Sequence, residues 1–126
     1  MLNRILFWAL ALSAGVEVLL GLGVLFLPEK LMGVFGIGQI TTDLSYLAAI
    51  VGWFCLGVGG VVAASARWVA SAKREGAVLA LWLGVWWIGI GLPLSIQYHR
   101  PEHLVLDTAK GLLIAGLAWA SLRQRT

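Results

Sequence analysis

The sequence predicts an all-α integral membrane protein: a single domain, residues 1–126, built as a bundle of four transmembrane helices. Three observations carry that prediction. Of 126 residues, 60% are hydrophobic and only 12% charged, against about 25% charged in a soluble domain. The mean hydropathy is +0.92. The apolar residues gather into four runs of bilayer length, near residues 4–27, 44–66, 77–98 and 104–122. A membrane barrel would show alternating strands instead.

The first run begins after Asn3 and Arg4 and contains Glu17. It is longer than the apolar core of a signal peptide, holds a carboxylate and lacks an Ala-x-Ala cleavage site, so it reads as a retained helix. The loop at residues 28–43 contains the apolar, glycine-bearing stretch LMGVFGI, which predicts a short turn or helix lying flat at the interface. The second and third runs carry no charge. The fourth holds Asp107 and Lys110 near its start, after the tight loop HRPEH. That loop predicts an antiparallel hairpin of the last two helices. Cys55 is the sole cysteine and excludes an intrachain disulfide.

Basic residues set the orientation. Arg4, Arg67, Lys73, Arg74, Arg123 and Arg125 fall at the N-terminus, second loop and C-terminus, with only Lys30 and Arg100 in the other loops. Both termini should therefore be cytoplasmic. Trp8, Trp68 and Trp119 then lie at the inner interface. Small pairs four apart, Ala48/Gly52, Gly59/Ala63, Gly60/Ala64, Gly111/Ala115 and Gly116/Ala120, predict close helix packing.

With that topology, Glu17, Glu29, Asp43, Glu102 and Asp107 all fall in the outer half, with Gln97, Tyr98, His99 and His103. Glu17 is the central candidate. A carboxyl group deep in a bilayer costs roughly 2.5–3.5 kcal/mol on insertion scales, so such a residue faces other helices, water or a ligand. Ser13, Glu17 and Gly21 share one helix face, and His103, Asp107, Lys110 and Gly111 share another. Trp53, Trp86 and Trp87 fall near the depth of Glu17.

A carboxyl group in a low-dielectric layer disfavours its charged form, which suits a proton donor. Indole faces stabilise cations. The candidate site is therefore Glu17 and Asp107 as acids, with Trp53, Trp86, Trp87, Gln97, Tyr98 and Tyr46 around a substrate. Three functions fit it. The first is holding an isoprenoid- or lipid-like molecule in an outer-half pocket, with acid-catalysed cyclisation or isomerisation. The second is proton-coupled export of a hydrophobic cation. The third is a non-catalytic accessory subunit. Phosphate loops, GxSxG, CxxC and HExxH are absent from the sequence. No cofactor is predicted. His99, His103 and Asp107 lack a diagnostic metal-ligand spacing, so no metal is predicted. The expected partners are membrane lipid and an apolar small molecule, not nucleic acid, and a homo-oligomer remains compatible.

Residues 21–36, GLGVLFLPEKLMGVFG, with the basic stretch SARWVASAKREG, resemble small four-helix bacterial membrane proteins of the DoxX-like kind. That resemblance implies a four-helix bundle in the bacterial inner membrane and carries no catalytic residues over. SAGVEV around Glu17 and ALWLG at residues 80–84 resemble the small multidrug resistance exporters. In that family the matching carboxylate exchanges protons for substrate, and Trp82 would be a wall of the site. The charge bias and the charged fourth helix rank this resemblance second.

Overall fold

The computed structural model describes residues 1–34, 36, 38, 39 and 41–124. In chain order it contains α1 (Leu2–Phe26), α2 (Pro28–Val34), α3 (Thr42–Ala70), α4 (Arg74–Gln97), a π-helical segment (Leu104–Ala109) and α5 (Lys110–Arg123). Four helices are long and apolar enough to cross a membrane: Leu2–Phe26, Thr42–Ala70, Arg74–Gln97 and the continuous stretch Leu104–Arg123. Their outward faces expose large apolar groups such as Leu12, Leu19, Phe26, Trp53, Phe54 and Trp82. Water would penalise such faces; hydrocarbon would not.

The chain divides into two compact units. One is Leu12–Val61; the other joins Met1–Ala11 to Val62–Thr126, so α1 and α3 contribute to both. In the Leu12–Val61 unit, α1 and α3 run antiparallel along a glycine-lined seam. A Cβ added to Gly21 would meet the Gly52 carbonyl at 2.8 Å, and one added to Gly59 would meet Val18 at 2.8 Å. Ala14, Glu17, Gly21 and Val24 are buried on α1, opposite Ala48, Gly52 and Gly59 on α3. Spacings of three and four residues keep one face on the seam over many turns. α2 takes in PEKLMGV, so it begins before the stretch LMGVFGI, where a turn or helix was expected, and includes only its first four residues; it buries no residue, and Leu31 rests on the Gly23 position. Phe35, Ile37 and Ile40 of that loop lie outside the described residues.

In the other unit, α4 and α5 form the expected antiparallel hairpin. Gly84 faces Gly111 and Ala115, and Gly91 faces Asp107 and Thr108. The four-apart small pairs behave unequally. Gly52, Gly59 and Gly111 are buried, while Gly60 and Gly116 have open space around them. Gly84 and Gly91, seven apart, make contacts that a search for pairs four apart misses.

α3 runs four residues past the expected end at residue 66, so Arg67 and Trp68 are helical. It stops where Ala72 adopts a left-handed φ of 54°. There the Lys73 N–H donates to the Trp68 carbonyl and the Ala72 N–H to that of Val69, a Schellman ending that satisfies two terminal carbonyls. Apolar length alone did not mark this stop, because the helix continues until its backbone groups find other partners.

Candidate functional site

Two polar regions stand out, one in each unit. The first is Glu17 in the α1–α3 seam. Glu17 is 7% exposed, and Ser13, one turn away on the same face, is 3% exposed. The Ser13 hydroxyl has no hydrogen-bond partner among the described residues. The glycines explain how the acid fits. A Cβ on Gly59 would come within 3.4 Å of Glu17 Cβ, so the α3 backbone itself covers the Glu17 stem. The shared face of Ser13, Glu17 and Gly21 is therefore filled by a neighbouring helix along Gly21 and Gly59.

The second region lies where α4 meets the π-helical segment. The His103 Nδ1–H donates to Asp107 Oδ2 at 2.6 Å. Lys110 Nζ lies 3.8 Å from Asp107 Oδ1 and 4.1 Å from the centre of the Trp87 ring. The three ionisable side chains are between 18% and 24% exposed, and Trp87 is 2% exposed. A line of four groups thus runs from a part-exposed imidazole through a carboxylate and an ammonium to a buried indole. Trp86 packs beside Trp87 with ring centres 6.3 Å apart.

The local backbone makes this line possible. In a π-helix the hydrogen bonds run five residues apart instead of four, and single π turns recur at functional sites. The wider turn over Leu104–Ala109 sets His103 nearly over Asp107. Opposite it, α4 is also irregular. Pro93 has no N–H to return to Gly89, and the Ser95 hydroxyl donates to the Gly91 carbonyl at 2.7 Å. Thr108 presses on Gly91 with no room for a side chain there. Its buried hydroxyl has no hydrogen-bond partner among the described residues.

The predicted site residues divide accordingly. Glu17 is buried in one unit; Asp107, Trp86 and Trp87 belong to the other. Trp53 is 68% exposed, and Tyr46 and Tyr98 are similarly open; Gln97 is exposed at the end of α4. Trp53 and Tyr46 point away from the α1–α3 seam that holds Glu17. The expected face of His103, Asp107, Lys110 and Gly111 does come together. Sequence reasoning missed the pairing of Lys110 with Trp87: it assigned the indole face to a ligand cation, and the chain supplies its own. It also missed Thr108, since no composition rule marks a π turn. Among the described residues no group of three or more His, Cys, Asp or Glu side chains could hold a metal ion.

What the second region can do follows from its bonds. Asp107 Oδ2 accepts from His103 Nδ1 at 2.6 Å and Oδ1 faces Lys110 Nζ at 3.8 Å, so Asp107 fixes the orientation of the imidazole. Asp107 is therefore better suited to holding a base than to donating a proton itself. Comparison with protein-family models, with curated proteins and with solved structures finds no match to this chain.

Proposed function

We propose that this chain is a multi-pass protein of the bacterial inner membrane, termini cytoplasmic, that holds an isoprenoid- or lipid-like molecule and transfers a proton to it. Glu17 is the proton donor. Asp107 positions His103 as a second proton-handling group, and Lys110 neutralises the carboxylate. The observation that carries the reading is Glu17 at 7% exposure within a 25-residue apolar helix. An ionisable group so placed is expensive in lipid and most often serves a substrate or proton pathway.

The test uses purified protein in nanodiscs with farnesol as the probe, in deuterated water. Acid-catalysed isomerisation places solvent deuterium on the recovered isoprenoid. Glu17→Gln keeps the fold and binding but abolishes incorporation. Incorporation that survives Glu17→Gln would remove Glu17 as donor. Proton-coupled export stands second. It predicts proton release when tetraphenylphosphonium is added, lost in Glu17→Gln, with no deuterium incorporated. Neither signal would indicate an accessory subunit.

A further inference from the structure

One end of the second unit gathers the start of α1, the α3–α4 turn and the end of α5. The Ser121 hydroxyl donates to Asn3 Oδ1 at 2.6 Å and ties α5 to α1. The Ser65 hydroxyl donates to the Gly76 carbonyl at 2.9 Å and ties α3 to α4. This end carries Arg4, Arg67, Lys73, Arg74 and Arg123 against the single acid Glu75. Among the described residues no carboxylate pairs with Arg4, Arg67, Lys73 or Arg74. Between the start of α1 and the end of α3 lies an open cleft of about 370 Å³, whose lining includes Met1, Asn3, Arg4, Phe7 and Ala70.

The cleft is a built shape, not only a basic surface. Its lining is mostly apolar, with accessible surface from Phe7 and Ala70, and the exposed Arg4 and half-buried Asn3 supply its polar groups. Because Asn3 Oδ1 accepts from Ser121, the Asn3 amide nitrogen remains a donor, and Arg4 adds a guanidinium suited to phosphate oxygens. An apolar slot with a cationic, donor-rich mouth at the end of membrane-length helices complements one occupant best. We propose that this cleft binds an anionic phospholipid, with the phosphate at Arg4 and Asn3 and the upper acyl chain along Phe7 and Ala70. The site requires only that the helices cross a bilayer. It is independent of the proton-transfer reading.

Native mass spectrometry of the intact protein tests it, with phosphatidylglycerol as the probe and phosphatidylcholine as the neutral control. The expected result is retention of one phosphatidylglycerol in preference to phosphatidylcholine. Arg4→Gln should weaken retention about fivefold, the effect of one basic group near a lipid surface, and Arg4→Lys should keep most of it. Ala70→Trp fills the slot without changing charge and should also weaken retention, with the melting temperature in detergent unchanged. Equal retention of the two lipids would overturn the proposal. So would loss on Arg74→Gln with none on Arg4→Gln or Ala70→Trp, which would indicate a diffuse basic belt.

Discussion

The two helix seams accommodate ionisable groups in opposite ways. The α1–α3 seam holds a single acid, Glu17, in unbroken α-helix and covers it with backbone at Gly59. The α4–α5 seam holds an imidazole, a carboxylate and an ammonium and distorts to do so. It spends a π turn on one helix, and a proline with a back-bonded serine lies on the other. At Glu17 the covering is close backbone packing, with Gly59 against the Glu17 stem. Three groups that pair with one another need their geometry fixed together, and here the His103–Asp107 contact spans the start of the π-helical segment. In the proposed function the first seam supplies the proton donor and the second holds a base in position.

The largest test of this contrast is steric. A Cβ at Gly84 would lie 2.7 Å from the Ala115 nitrogen and 2.8 Å from the Gly111 carbonyl, both backbone atoms that cannot turn aside. Gly84→Val should cost about 3 kcal/mol, the upper part of the overpacking range, measured by unfolding in mixed micelles. At Gly59 the nearest obstacle is a Val18 methyl and backbone comes no nearer than 3.4 Å, so Gly59→Ala should cost less, about 1 kcal/mol. Gly89→Ala, with nothing within 4 Å, should cost no stability.

Breaking the charge line comes next. Asp107→Asn leaves Lys110 partly buried without its carboxylate and should cost about 2 kcal/mol, less than for a fully buried pair. Adding Lys110→Met removes the stranded charge and should recover part of the loss in a double-mutant cycle. Equal, additive losses would mean that the 3.8 Å contact carries no coupling.

The smallest effect concerns the two orphan hydroxyls. Thr108→Val and Ser13→Ala remove buried groups that have no partner among the described residues. Each should leave stability unchanged or raise it by about 1 kcal/mol. Loss of stability at Thr108 with none at Ser13 would show that the irregular seam holds an ordered water on its hydroxyl.

The spans, the hairpin and the face shared by His103, Asp107, Lys110 and Gly111 were legible because each follows from length or helical period. A short turn or helix was expected over LMGVFGI from its apolar composition, and the helix found, Pro28–Val34, begins three residues earlier. The π turn was not, because no residue pattern marks it; in the structure Thr108 within it packs against Gly91 of α4. Depth along a helix also failed to predict facing. Trp53 lies one residue beyond Gly52, which rotates it about 100° off the seam and leaves it exposed. Lys110 could be paired with Asp107 from spacing alone, but its place over Trp87 needed the partner helix.

The central claim is that Glu17 is a working acid while Asp107 is a positioning group. Difference infrared spectroscopy of the carboxyl stretch tests it most directly, in nanodiscs, before and after farnesol is added. The account predicts a protonated-carboxyl band that responds to the ligand, disappears in Glu17→Gln and persists in Asp107→Asn. A carboxyl region that ignores the ligand, or a responsive band lost only in Asp107→Asn, would contradict it.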